Sequence, residues 1–292
     1  MVKGRGERRS PNVDDRRGRR PRGRRRGRVG GRVGTPVRLT GGIGVIIVLA
    51  VILLGGDPGA LLQMSGSGRL ESNSSLPTPA RDDPAAQFIS TMLASTEDVW
   101  AEIFRNAGAT YRDPRLVLFT DGVDSACGFN TSATGPFYCP PDQQIYIDLG
   151  FFEELSRMGG PGDFAQAYVL GHEVGHHIQQ LTGISDDVRG RQQAAGRGAA
   201  SNALQVKMEL QADCLAGVWA YHANRTRRIL EPGDVEEGLA AAEAIGDDRL
   251  QRNAGRRASP ESFTHGTSAQ RRAWLERGLQ SGDPDECDTF AG

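Results

Sequence analysis

The chain has 292 residues, of which 38% are hydrophobic and 24% charged, with 4 cysteines and a formal net charge of −1. That length supports one or two domains with a sizeable core, and the composition excludes both a wholly disordered chain and a multi-span membrane protein. Four cysteines are too few for a disulfide-built mini-scaffold, and the net charge, taken as an average, excludes a strongly basic nucleic-acid binder.

The charge is not evenly spread. Residues 1–38 hold 15 Lys and Arg against 3 acids (Glu7, Asp14, Asp15), a net of +12, and the other 254 residues carry −13. The basic segment is Arg/Gly-rich, with Arg24-Arg25-Arg26 at its densest, and has almost no large apolar residues. It predicts a disordered tail, because it offers too little apolar surface to offset the entropy of ordering it. Such a tail attracts anionic lipid headgroups; no aromatics interleave its arginines to stack bases, which argues against nucleic acid as a partner.

Residues 39–56 carry no charge and centre on the apolar run Val45–Leu54. As a helix, 18 residues span about 27 Å, enough for a thin hydrocarbon core. A cleaved signal peptide fits less well, since the basic region is long and Pro58-Gly59 makes no small-x-small cleavage site. The segment predicts a single-pass anchor in a bacterial cell membrane. The positive-inside rule then puts residues 1–38 in the cytoplasm and the rest outside it. Residues 57–83, with Ser65-Gly66-Ser67-Gly68 and Pro77, Pro79, read as a flexible Gly/Ser/Pro linker. The folded domain is then expected over 84–292.

That domain opens on helical spacings (Phe88, Met92, Val99, Trp100, Ile103), with Ser95 and Asp98 resembling a capping-box variant. Arg115–Thr120 reads as a strand, as do Phe137–Cys139 and Gln144–Asp148, joined around Pro140-Pro141-Asp142. From residue 149 onward the patterns are helical. A small early sheet and a mostly helical C-terminal part predict an α+β fold. Cys127 and Cys139 bracket a short Gly-rich loop, leaving Cys214 and Cys287 to pair. No Cys-x-x-Cys is present to favour metal binding, so two disulfides are expected.

Three of the five histidines fall in His172-Glu173-Val174-Gly175-His176-His177. The surrounding segment has helical spacing, with Asp163 to cap it and Gly183 to end it. In such a helix His172 and His176 lie one turn apart on one face and can share one Zn²⁺, while Glu173 is rotated toward a water rather than the metal. A metzincin would need Gly at 179 and His at 182; Gln179 and Thr182 exclude that class. A following helix, Ser201 to about His222, carries Glu209 and Asp213 at i and i+4. Glu209 completes a His₂Glu set with an open fourth position, and Asp213 is placed to accept from the far nitrogen of a ligand histidine. His177 is expected to pack or hydrogen-bond, and His222 to lie at the surface.

Six segments carry a resemblance: Gly135–Pro140, Ile145–Asp148, Asp163–Tyr168, His172–Gln179, Glu209–Cys214 and Ser262–Ser268, with Gly282-Asp-Pro at the close. Over about residues 84–290 the chain resembles the bacterial neutral zinc metallopeptidase family. The resemblance implies a zincin-like fold, one bound Zn²⁺ per chain, an exported or membrane-anchored catalytic domain, and Gln144–Asp148 as an edge strand that pairs with substrate backbone. It also implies a residue that polarises the scissile carbonyl; His265, in Phe-Thr-His-Gly-Thr, competes with Tyr138 and Tyr146 for that part, and a structural loop contact is its alternative role. The expected activity is peptide hydrolysis on a protein or peptide substrate, with Glu173 as general base. The alternative is a catalytically silent, zinc-stabilised scaffold.

Overall fold

The computed structural model describes residues 7–18 and 83–291. Strand β1 (Val13–Asp15) is followed by helix α1 (Pro84–Asn106), strand β2 (Arg115–Phe119), a small hairpin of β3 (Gly122–Ser125) and β4 (Gly128–Thr131), then β5 (Phe137–Cys139) and β6 (Gln144–Asp148). The rest is helical: α2 (Phe151–Met158), α3 (Asp163–Leu181), α4 (Ile184–Ala195), α5 (Ala199–Arg227), α6 (Asp234–Ala244), α7 (Asp247–Asn253) and α8 (Ser268–Ser281). The fold is α+β, as expected.

The four-stranded sheet has the order β1-β2-β6-β5. Its first three strands run parallel, and β5 is antiparallel to β6. Alternation along the strands gives the sheet two faces. Leu116, Leu118, Ile145 and Ile147 join the main core with α1, α3 and α5, while Val117, Phe119 and Tyr146 form a smaller cluster on the other side. The resemblance made Gln144–Asp148 an edge strand. That expectation is corrected: β6 lies between β2 and β5, and β5 is the edge. The chain crosses over after β2, so the later strand of the hairpin takes the inner position.

A second correction concerns the N-terminus. Residues 1–38 were expected to form a disordered tail apart from the domain, yet residues 7–18 belong to it. Val13, Asp14 and Asp15 pair with Leu116, Val117 and Leu118. The physical reason lies in α1, where Glu97 is 4% exposed in the middle of the helix. Its carboxylate accepts from Ser10 Oγ (2.5 Å), Asn12 Nδ2 (2.9 Å) and Arg8 Nη2 (3.0 Å). Arg17 further bridges Asp15 and Asp83. A buried carboxylate requires such partners, and the arm supplies them. The apolar segment 39–56 and linker residues 57–82 lie outside the described residues. Among those described, no helix is long and apolar enough to cross a membrane.

Helix α1 is capped by Asp83, which accepts from Ala85 N–H at 2.9 Å, with Pro84 at the first position. Ser95 and Asp98 therefore do not cap; they sit in mid-helix, where Ser95 Oγ accepts from Trp219 Nε1 at 3.2 Å. Both expected disulfides form, Cys127–Cys139 and Cys214–Cys287.

Candidate functional site

Helices α3 and α5 approach closely because small residues line their contact. A Cβ on Gly171 would come within 2.9 Å of Trp219, and one on Gly175 within 2.9 Å of the Ala212 backbone. This crossing turns the His172/His176 face of α3 toward Glu209 of α5. His172 Nε2 lies 3.1 Å and His176 Nε2 3.5 Å from Glu209 Oε2. The ligand atoms of the three residues all lie within 4.8 Å of one another. Two imidazoles and one carboxylate converging on a point form a donor set that fits Zn²⁺ with a coordination position left open.

Electrostatics favour a cation there. Burial works to lower His172, but the Asp213 and Glu209 carboxylates outweigh it and push His172 up to about 9. His176 is also raised, against its burial, chiefly by Glu209. Burial works to raise Glu209, but His176, His265 and His172 hold it well below the usual carboxylate range. The site thus calls for positive charge, which protons supply in this arrangement and a divalent ion can supply in their place.

The far nitrogens of both imidazoles are fixed. His172 Nδ1 lies 2.8 Å from Asp213 Oδ1, the contact expected from the sequence. His176 Nδ1 lies 2.8 Å from Gln179 Oε1. Gln179 is fully buried and is itself anchored through Nε2 to the Met208 carbonyl (2.7 Å) and to Gln211 Oε1 (3.0 Å). Sequence reasoning used Gln179 only to exclude a metzincin; its i+3 position relative to His176 was the available signal.

Arg271 is the larger omission. It is 2% exposed, and it forks onto Asp213 through Nε–Oδ2 and Nη2–Oδ1 contacts of 2.8 Å each. Its Nη2 also donates to Tyr168 Oη at 3.1 Å, and that hydroxyl donates to Asp213 Oδ1 at 2.6 Å. Close packing of α8 on α5 makes this possible, since a Cβ on Gly278 would fall 2.0 Å from the Cys214 carbonyl oxygen. Burial tends to raise Asp213, yet Arg271 and His172 bring it down to about 2.

His172, Glu173, His176, Glu209 and His265 line one cavity of about 470 Å³, together with Phe137 and Tyr138 of β5. Glu173 is 6% exposed, and burial raises its carboxyl above the ordinary value despite the two neighbouring imidazoles. Of the three candidates for polarising a carbonyl, the two tyrosines are engaged elsewhere. Tyr146 Oη donates to Asp142 Oδ2 at 2.8 Å on the opposite face of the sheet, and Tyr138 Oη is 3.0 Å from His177 Nδ1. His265 also lines the cavity, and its Nδ1 is 3.0 Å from Thr264 Oγ1 and 3.4 Å from Asp247 Oδ1.

His177 packs as expected, fully buried, with Nε2 donating to the Arg112 carbonyl at 2.6 Å. His222, expected at the surface, is half-buried and donates to the Gly282 carbonyl at 2.8 Å. Asp163 does not cap α3: it is the first helical residue, and Glu237 of α6 accepts from Phe164 N–H at 3.1 Å instead.

Comparison with known proteins agrees with this geometry and extends it. Residues 2–290 match the family described as "Putative neutral zinc metallopeptidase". "Uncharacterized protein YpfJ" of Escherichia coli K12 is 46% identical over 288 residues, 98% of this chain and 97% of that protein. "Uncharacterized protein Rv2575" of Mycobacterium tuberculosis H37Rv is 39% identical over 254 residues, 82% of this chain and 85% of that protein. No solved structure matches. The likeness thus includes the N-terminal arm, which the resemblance drawn from motifs left out.

Proposed function

The chain belongs to the neutral zinc metallopeptidase family, and from that premise we propose that it is a zinc-dependent peptidase hydrolysing protein or peptide substrates, with Glu173 as general base. The observation that carries this reading is the convergence of His172, His176 and Glu209 in one cavity with a buried, ionisable Glu173. A structural zinc has no use for that carboxylate. His172, His176 and Glu209 would hold the ion, which when bound would supply Lewis-acid polarisation of a carbonyl and lower the pKa of water to about 7.

The chain's own groups do the rest. Glu173 takes a proton from the attacking water as the carbon–oxygen bond forms, then delivers it to the amide nitrogen as the carbon–nitrogen bond breaks. His265 donates a hydrogen bond to the carbonyl oxygen as it gains charge. Strand β5 offers its outer edge to extended substrate backbone; among the described residues no strand pairs that edge. Asp213 and Gln179 keep the ligand imidazoles oriented.

The hydrophobic segment 39–56 attaches the protein to the cell membrane. The domain works outside the cytoplasm, a reading that two disulfides support.

The test is Glu173→Gln, with zinc content measured by mass spectrometry alongside cleavage of fluorescein-labelled casein. Zinc is retained, and the cleavage rate falls by roughly 10²–10⁴. A zinc-loaded wild type that leaves casein and a peptide library intact overturns the proposal. Full zinc retention in Glu209→Ala would remove Glu209 from the ligand set.

A further inference from the structure

The segment carrying His265 is folded around one carboxylate. Asp247, at the start of α7, is completely buried. Its Oδ2 accepts from three consecutive backbone N–H groups, those of Thr264 (2.7 Å), His265 (2.6 Å) and Gly266 (3.0 Å). Its own N–H donates to the Gly266 carbonyl at 2.9 Å, closing the loop from the other side. Oδ1 is left facing the His265 ring. Hydrogen bonds to a charged acceptor are the strong ones, and three on a single oxygen fix the backbone of the loop at the residue whose side chain enters the cavity.

The next residue continues the arrangement. Asp248 Oδ1 accepts from Ser268 N–H at 2.8 Å, and Ser268 Oγ donates to the Glu243 carbonyl at 2.7 Å. The start of α8 is thereby tied to α6 and α7, and Arg271 follows within the first turn of α8.

We propose that Asp247 is a positioning residue, whose buried carboxylate gathers the 264–266 amides and so presents the His265 imidazole to the substrate carbonyl. The inference rests on the peptidase reading for what His265 does, and on geometry alone for what Asp247 does. A carboxylate placed only for fold stability would also bury itself among amides. It would not, however, make the effect of its loss depend on whether His265 is present.

The experiment uses the full chain loaded with zinc. Asp247→Ala and His265→Gln each lower kcat on labelled casein by about 100-fold, the scale of losing one oxyanion donor, with KM nearly unchanged. The double variant is no slower than either single one. Asp247→Asn, which keeps one carbonyl oxygen for the three amides, restores most of kcat. Hydrogen exchange gives a readout that needs no turnover: Asp247→Ala loses protection at the 264–266 amides while zinc content stays constant. Losses that multiply in the double variant, or exchange at these amides that does not change, overturn the proposal. If Asp247→Ala fails to fold, the Asp247→Asn variant is decisive, and normal protection with kcat unrestored refutes positioning. A wild type that cleaves nothing sinks the peptidase reading, and the exchange result then decides on Asp247 alone.

Discussion

Replacing Arg271 by Ala perturbs the candidate metal centre without touching His172, His176 or Glu209. Arg271 and Asp213 are both almost wholly inaccessible, and two 2.8 Å contacts join them. Removing the guanidinium leaves Asp213 with the Tyr168 hydroxyl and with His172, whose charge in the zinc-free protein offsets only part of the loss. Breaking a buried pair by deleting one partner costs about 3–5 kcal/mol, most of it the penalty of the orphaned charge. The orphan is removed in the double variant Arg271→Ala/Asp213→Asn, so that protein recovers part of the loss. Urea unfolding of zinc-free protein, in wild type, both single variants and the double, gives the coupling energy directly. A single-variant loss below about 1 kcal/mol refutes the argument, as does additivity of the two substitutions to within about 0.5 kcal/mol. The same series titrated with zinc should show a 10- to 100-fold weaker affinity once the Asp213–His172 contact is disturbed.

Three further outcomes are expected. Deleting residues 1–18 removes β1 and the three donors to Glu97; stability falls by about 3–5 kcal/mol, and Glu97→Gln in the truncated chain restores part of it, both read from urea midpoints. Burial depresses His177 to about 4, against the pull of the Arg112 carbonyl. The unfolded state therefore binds its proton first, and about 3 kcal/mol present at pH 7 is lost as pH falls from about 6.5 to about 4. His177→Gln flattens that slope in zinc-free protein, and an unchanged slope contradicts the assignment. Cys287→Ser opens the bridge that spans 73 residues, at a cost of about 4 kcal/mol in the chain-entropy model; differential scanning calorimetry with and without reductant measures it.

The metal helix was legible because its chemistry lies at i and i+4, where local periodicity fixes the geometry. Glu209 and Asp213 repeat that spacing on a second amphipathic segment, so the His172–Asp213 contact could be anticipated from two local patterns. Arg271 could not. It stands beside Arg272 in what reads as an exposed basic pair, and its partner is 58 positions away. Asp247 looked like any acid at a helix start, since three amides converging on it is a property of a tertiary loop. Strands β2, β5 and β6 were readable as β-type runs, but β1, β3 and β4 were not, nor was the order of the sheet. That β6 lies inside β5 depends on the parallel pairing with β2, which no local pattern encodes. The arm failed for a different reason: averaging over 38 residues let the arginines of 19–38 speak for a stretch that contributes a single apolar residue, Val13, to the sheet.

That three-residue strand also constrains how the chain can meet a bilayer. Strands joined by hydrogen bonds share one side of it, so between residues 15 and 115 the chain crosses an even number of times. A lone passage through residues 39–56 is an odd number, and it cannot leave the N-terminus in the cytoplasm while the domain works outside. Arg16 and Arg17 of the arm therefore lie on the same side as the domain, and the pairing of β1 with β2, rather than the sign of the flanking charge, fixes that relation. Reporter fusions at the two ends of the chain should report the same compartment.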